Sequence, residues 1–248
     1  MKGHLLANMT YMQCEQFINE DTIVVLPIGG GAKEHGHHLP LGTDYYIADW
    51  LAQKVAEKAE GVIVLPTLPY CYFPAFVTWT GTISIGEENF INMVRDIIMS
   101  YVRFGVWKFL IIDNAVASYF GNSTLAGDLN NEHNIKVGVT NCRTLGKETD
   151  DALCEQKAGG HACEAETSTM LYVKEELVQM DKAGEDYSRV FPWEAKVVFP
   201  QRITSASGAN GNSTLATKKK GEEMMQAKLD DILTFLDGFG KYTKYDIE

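Results

Sequence analysis

Residues 22 to 58 constrain this chain more than any other stretch. Thr22 to Ile28 is a short unbroken apolar run, the pattern of a strand buried on both faces. Gly29 to Asp44 follows it, and then Ile47, Leu51 and Val55 recur at four-residue intervals with Ala48 beside them, the period of a helix buried on one side. A second apolar run, Val62 to Leu65, ends at Pro66. Strand, helix and strand in this order make the crossover unit of a parallel sheet. The segment 29 to 44 therefore sits at a strand's carboxyl end, where open α/β sheets place their sites because the loops there aim side chains into a crevice.

That loop carries Lys33, Glu34, His35, His37, His38 and Asp44, three histidines of the six in the chain. Neutral imidazole and carboxylate are the ligand set of a zinc-type centre, and the glycines let the backbone turn tightly around an ion. Spacing alone also fits a solvated histidine-rich surface, since no His-Glu-x-x-His pattern is present. On spacing, both readings stand.

Composition narrows the partners. With 22 basic and 33 acidic residues the formal charge is −11, which repels a polyanion, so nucleic acid is not expected as a partner. Lys218-Lys219-Lys220 runs straight into Glu222-Glu223 and reads as a solvated helix face. Cys14, Cys71, Cys142, Cys154 and Cys163 are odd in number and form no Cys-x-x-Cys pair, so a reducing compartment is expected, with a cytoplasmic location. No segment approaches the roughly 20 apolar residues of a membrane span, and the first residues lack the apolar core of a signal peptide.

The remaining chain alternates strand and helix signals. Residues 10 to 20 read as a helix with Met12 and Phe17 inward; Phe90, Val94, Ile97, Ile98 and Tyr101 form a helical stripe ending near Gly105. Phe109 to Ile112, Lys136 to Thr140 and Ala195 to Phe199 read as strands, and 162 to 173 as a helix. Met225, Leu229, Ile232, Leu233 and Leu236 mark a terminal helix, with capping side chains at Asn212-Ser213-Thr214. Residues 141 to 157 have no secure assignment. The aromatic run Tyr70, Tyr72, Phe73, Phe76 and Trp79 suggests a satellite core or a subunit contact rather than a substrate wall. Without repeat, linker or low-complexity tract, one α/β domain spanning 1–248 is expected.

Four ordered segments resemble the creatininase (creatinine amidohydrolase) family. His35-Gly36-His37-His38-Leu39-Pro40-Leu41-Gly42-Thr43-Asp44 is similar to the family's Glu-Gln-His-Gly-Pro-His-Leu-Pro-Leu-Gly-Thr-Asp signature. Gly81-Thr82-Ile83-Ser84, then His161-Ala162-Cys163-Glu164-Ala165-Glu166-Thr167-Ser168, and more weakly Gly208 to Gly221 follow in the family's order. The resemblance implies a three-layer α/β/α sandwich with a mainly parallel sheet, and a homo-oligomer, a hexamer in relatives.

It also implies a site holding two divalent metals. The family's ligands are the Glu, first His and Asp of the first motif, plus a His from a later Asn-Gly-His loop. His35 and Asp44 match ligand positions, and His38 matches the second signature histidine. Lys33 falls at the ligand Glu, and Val116 falls at the later histidine, with Asn114 kept. Lys33 is therefore expected to replace one metal and pair with Asp44. One zinc or manganese ion per chain would be held by His35, Asp44 and a third ligand, Glu34 or Glu166. His161 matches the proton-moving histidine, Glu166 lies in the retained Glu-Thr-Ser triplet, and Glu164 is either functional or a negative first helical turn.

The implied activity is metal-dependent hydrolysis of a small cyclic amide or carbonyl-bearing polar ring, with activated water attacking a carbonyl and His161 shuttling the proton. The competing expectation is a chain that has lost catalysis and keeps the fold for ligand binding or assembly. Replacement of two ligand positions is the feature in its favour.

Overall fold

The structure is a computed structural model that describes residues 2–187 and 205–244; the strand expected at 195 to 199 lies outside them. Its centre is a five-stranded sheet in the order β1-β3-β2-β4-β5, built from His4–Leu5, Ile23–Ile28, Val62–Val64, Lys108–Asp113 and Lys136–Val139. All four neighbouring pairs are parallel. The crossovers between parallel strands are helical, as they must be to carry the chain back to the starting edge. They include α2 (Thr43–Lys58), α3 (Glu87–Val102) and α4 (Val116–His133).

Alternation along the strands sorts the core into two layers. Val25, Val64, Leu110 and Ile112 face Ile47, Leu51 and Val55 of α2, Met170 of α6 (Glu164–Val173), and Met225, Leu229 and Ile232 of α7 (Lys218–Gly240). Val24, Leu26, Ile28, Phe109 and Ile111 face Phe90, Val94 and Ile98 of α3 and Leu125 and Leu129 of α4. Helices on both faces complete the three-layer sandwich. Each fully buried aliphatic side chain in these layers stabilises the fold by roughly 1.5–3 kcal/mol.

Several local expectations give way. The first helix, α1, covers Tyr11–Phe17, fixed by a capping box between Thr10 and Gln13. Phe17 is buried but Met12 is 58% exposed. Five residues turn a helix by about 500°, so 12 and 17 cannot share a face. Helix α4 was not foreseen, because its buried stripe begins with Ser118 and Asn122 before reaching Leu125 and Leu129 and its sequence contains two glycines. Residues 147 to 153, unassigned from sequence, form α5 (Lys147–Leu153). The last helix starts at Lys218, capped by Thr217, while Asn212 caps a separate 3-10 turn at Ser213–Leu215. The basic run is solvated as expected at Lys218 and Lys219, and so are Glu222 and Glu223, but Lys220 turns inward. Lys220 is held at 2.6–2.7 Å by Glu164 and Glu155, and Glu164 is fully buried.

A candidate metal-binding active site at the sheet's carboxyl edge

Strand β2 delivers the 29 to 44 loop at the sheet's carboxyl edge. Gly29 is required there, because a side chain at this position would overlap the backbone of Asp44 and Tyr45 at the start of α2. The loop is clamped by the second family segment. Thr82 Oγ1 accepts from the Glu34 amide at 3.1 Å, Ile83 N donates to Ala32 O at 2.8 Å, and Ser84 Oγ accepts from Phe73 N at 2.9 Å. His38 ties the loop to α6 through Thr167 Oγ1 at 2.7 Å, and burial lowers its pKa to about 4, so it stays neutral. His37 is exposed.

Lys33, His35 and Asp44 meet inside the protein. Lys33 Nζ lies 2.5 Å from Asp44 Oδ2, and His35 Nε2 lies 3.1 Å from Asp44 Oδ1. Burial opposes both charges of the ion pair, but mutual attraction outweighs it. Asp44 is held well below the usual carboxylate range by Lys33 and His35, and Lys33 above its ordinary value chiefly by Asp44. His35 Nδ1 is 2.9 Å from Lys33 O and Nε2 is 3.1 Å from Asp44 Oδ1, so each ring nitrogen faces an acceptor and the ring is held in place from both sides.

The second half of the site comes from the segment before α6. Ala162 has the left-handed φ of +47°, unusual for a residue with a side chain, and turns the chain between His161 and the helix. Its amide donates to Glu166 Oε2, and His161 is pinned on the backbone by paired hydrogen bonds with Asn210. The rings of His35 and His161 lie 4.7 Å apart. His161 stands between two acids, with Nε2 3.2 Å from Glu34 Oε2 and Nδ1 4.0 Å from Glu166 Oε2. Burial pushes His161 below the ordinary histidine range despite Glu34. Burial alone would raise Glu34, but its hydrogen bonds from His161 and from the Gly36 amide prevail and keep it ionised.

The structure thus brings Lys33, Glu34, His35, Asp44, His161 and Glu166 to one place, though not in the grouping expected from sequence. Among the described residues, the one set of three ligand atoms lying within 4.8 Å of one another belongs to His35, His161 and Glu166. Asp44 and Glu34, expected as ligands, face Lys33 and His161 instead. Charge shows whether a cation fits. Lys33 and Asp44 cancel, the histidine at 161 is neutral, and Glu34 and Glu166 remain, whose ion pairs among the described residues are to His161 alone. Two uncompensated carboxylates beside two imidazoles are the complement of one divalent cation.

Phe76 closes this group. Its ring lies 4.7 Å from the His161 ring and 5.1 Å from Lys33 Nζ, so Phe76 borders the group. Phe73 is buried in the core and Tyr72 and Phe76 pack against it, in line with the core expectation for the aromatic run. Glu164 is structural, because Oε2 accepts the amides of Glu155 and Gln156 and Oε1 binds Lys220. At the position of the family's later histidine, Val116 begins α4. The nearby Asn114 reaches only the backbone of Asp44, at 3.3 Å.

Comparison with known proteins follows the same lines. Residues 7–236 match the creatininase family profile, described as creatinine amidohydrolase. The creatinine amidohydrolase of Pseudomonas putida is 25% identical over 252 residues, covering 93% of this chain and 95% of that protein. A mycofactocin precursor peptide peptidase of Mycobacterium ulcerans is 25% identical over 85% of this chain and 83% of its own length. A 3-dehydro-scyllo-inosose hydrolase of Thermotoga maritima is 23% identical over 92% and 81%. A creatininase crystal structure superposes with a TM-score of 0.81 at 22% identity, covering 98% of this chain and all of that one. Among the described residues no helix is long and apolar enough to cross a membrane. With a matching profile over nearly its whole length, the same fold and the family's motifs at one sheet edge, the chain belongs to the creatininase family of hydrolases.

Proposed function

We propose that this protein is a one-metal hydrolase that opens a small cyclic amide or a carbonyl-bearing polar ring. The observation that carries the reading is the convergence of His35, His161 and Glu166 beside the Lys33–Asp44 ion pair. Two of its relatives are named for ring substrates, creatinine and an inosose, and creatininase is known in manganese and zinc–zinc forms. A divalent ion supplies polarisation of a carbonyl and acidification of water toward a pKa of ~7.

One ring nitrogen of His35, His161 Nδ1 and one oxygen of Glu166 would hold that ion. Such a role for His161 excludes the proton shuttle expected from sequence, because one lone pair serves an ion or a proton. Proton handling passes to Glu166, the one acid of the set with appreciable exposure, at 29%. Its Oε2 accepts from the Ala162 amide, which leaves Oε1 to take a proton from the attacking water and return it to the departing nitrogen. Lys33 supplies the fixed positive charge beside Asp44 that a second metal supplies in relatives, and Phe76 keeps bulk water away from the carbonyl.

The competing reading, a catalytically inactive family member, draws on the same ion pair, which engages a carboxylate that matches a family ligand. Metal content and turnover separate the two. After loading with zinc or manganese, elemental analysis should give one ion per chain, with hydrolysis of a five-membered cyclic amide abolished by chelation and by Glu166→Gln. No bound ion and no turnover would establish the inactive reading, two ions per chain would remove the role given to Lys33, and cleavage of peptides alone would overturn the substrate class.

A further inference from the structure

Glu34 stands where the resembled family has glutamine, and its carboxylate is fully engaged inside the protein. Oε1 accepts from the Gly36 amide and Oε2 lies 3.2 Å from His161 Nε2. The residue is 5% exposed. Its place is reserved by Gly208, which has φ +85° and lies so close that any side chain there would overlap the Glu34 carboxylate. A loop 174 residues further along the chain thus leaves room for this one acid.

We propose that Glu34 is a positioning residue that sets the tautomer and orientation of His161 for a divalent cation. An ionised carboxylate has no proton to give, so the ring carries its proton on Nε2 and presents the bare Nδ1 on its other side. That side is the one turned toward Glu166, 4.0 Å away, with the His35 ring 4.7 Å from the His161 ring. Carboxylate, imidazole and cation in series is a recurrent arrangement in metal proteins, in which the outer acid fixes the ring and increases its basicity. Glutamine cannot do the same here, because two donors converge on the side chain and an amide offers a single acceptor oxygen. One donor would then meet an NH2 group.

The inference rests on the proposed metal site, so the experiment first measures whether the wild-type chain binds zinc or manganese by calorimetry. If it binds neither, the metal site and the role of Glu34 both fall. If it binds, Glu34→Gln is expected to weaken affinity by roughly 10- to 100-fold and to shift the visible absorption of the cobalt-loaded protein, while the melting temperature of the metal-free protein stays within a few degrees. Gly208→Ala, which touches none of the three ligands, should reproduce the loss by displacing the Glu34 carboxylate. Should Glu34→Gln fail to fold, Gly208→Ala carries the test with the same two readouts. Unchanged affinity and an unchanged cobalt spectrum in a folded variant would overturn the role of Glu34 and leave the metal site standing.

Discussion

Two buried aspartates lie close together at the carboxyl edge of the sheet, and the protein treats them in opposite ways. Asp44, 1% exposed, faces an ammonium and an imidazole. Asp113, also 1% exposed, ends β4 and faces only neutral donors: Ala115 N at 3.0 Å and Ser118 Oγ at 2.8 Å on Oδ1, and Asn122 Nδ2 at 2.7 Å on Oδ2. Burial carries Asp113 up to about 6, whereas Lys33 and His35 drive Asp44 below its ordinary range. Three dipoles do not hold a charge against desolvation where one nearby cation does. The loop after β2 thus keeps formal charges available for chemistry, while the loop after β4 consumes its acid in anchoring the start of α4.

The largest expected effect comes from breaking the charged half of this contrast. Lys33→Met leaves Asp44 buried without its cation and should cost about 3–5 kcal/mol in urea unfolding of the metal-free protein; a loss under 1 kcal/mol would mean that the ion pair does not hold the loop. The neutral half gives a smaller, pH-dependent effect. Because the folded pKa of Asp113 lies above the unfolded value of 3.8, folding binds a proton between about pH 4 and 6, and stability falls as pH rises through that window. Asp113→Asn removes this dependence, and Asn122, whose Oδ1 has no partner, can turn its amide to meet the new NH2. Relative to wild type the variant should gain about 2–3 kcal/mol between pH 4 and pH 7. Parallel pH profiles for the two proteins would refute the contrast. The smallest effect is that of Ser118→Ala, about 1 kcal/mol for one lost hydrogen bond, read at pH 7, where Asp113 is ionised and most in need of donors.

Much of this was legible in the sequence because it is local or periodic. Apolar runs placed four of the five sheet strands, and the spacing of Ile47, Leu51 and Val55 placed α2. The histidine loop announced the site edge, and the departure at Lys33 already suggested a pairing with Asp44, which lies at 2.5 Å. What escaped was non-local. The approach of Phe76 to His161, the space left by Gly208 for Glu34 and the capture of Lys220 by Glu164 each join segments far apart in the chain. No periodicity encodes such meetings. Helix α4 escaped for a different reason, since the residues it buries first are polar and find their partners in Asp113.

The ammonium beside Asp44 is covalently part of the chain. A counter-ion borrowed from solution is subject to dilution, competition and chelation, but one supplied by translation is present at unit stoichiometry in every molecule. The neighbourhood of Asp44 is therefore electrically complete as soon as the polypeptide folds, in a metal-starved cell as in a replete one.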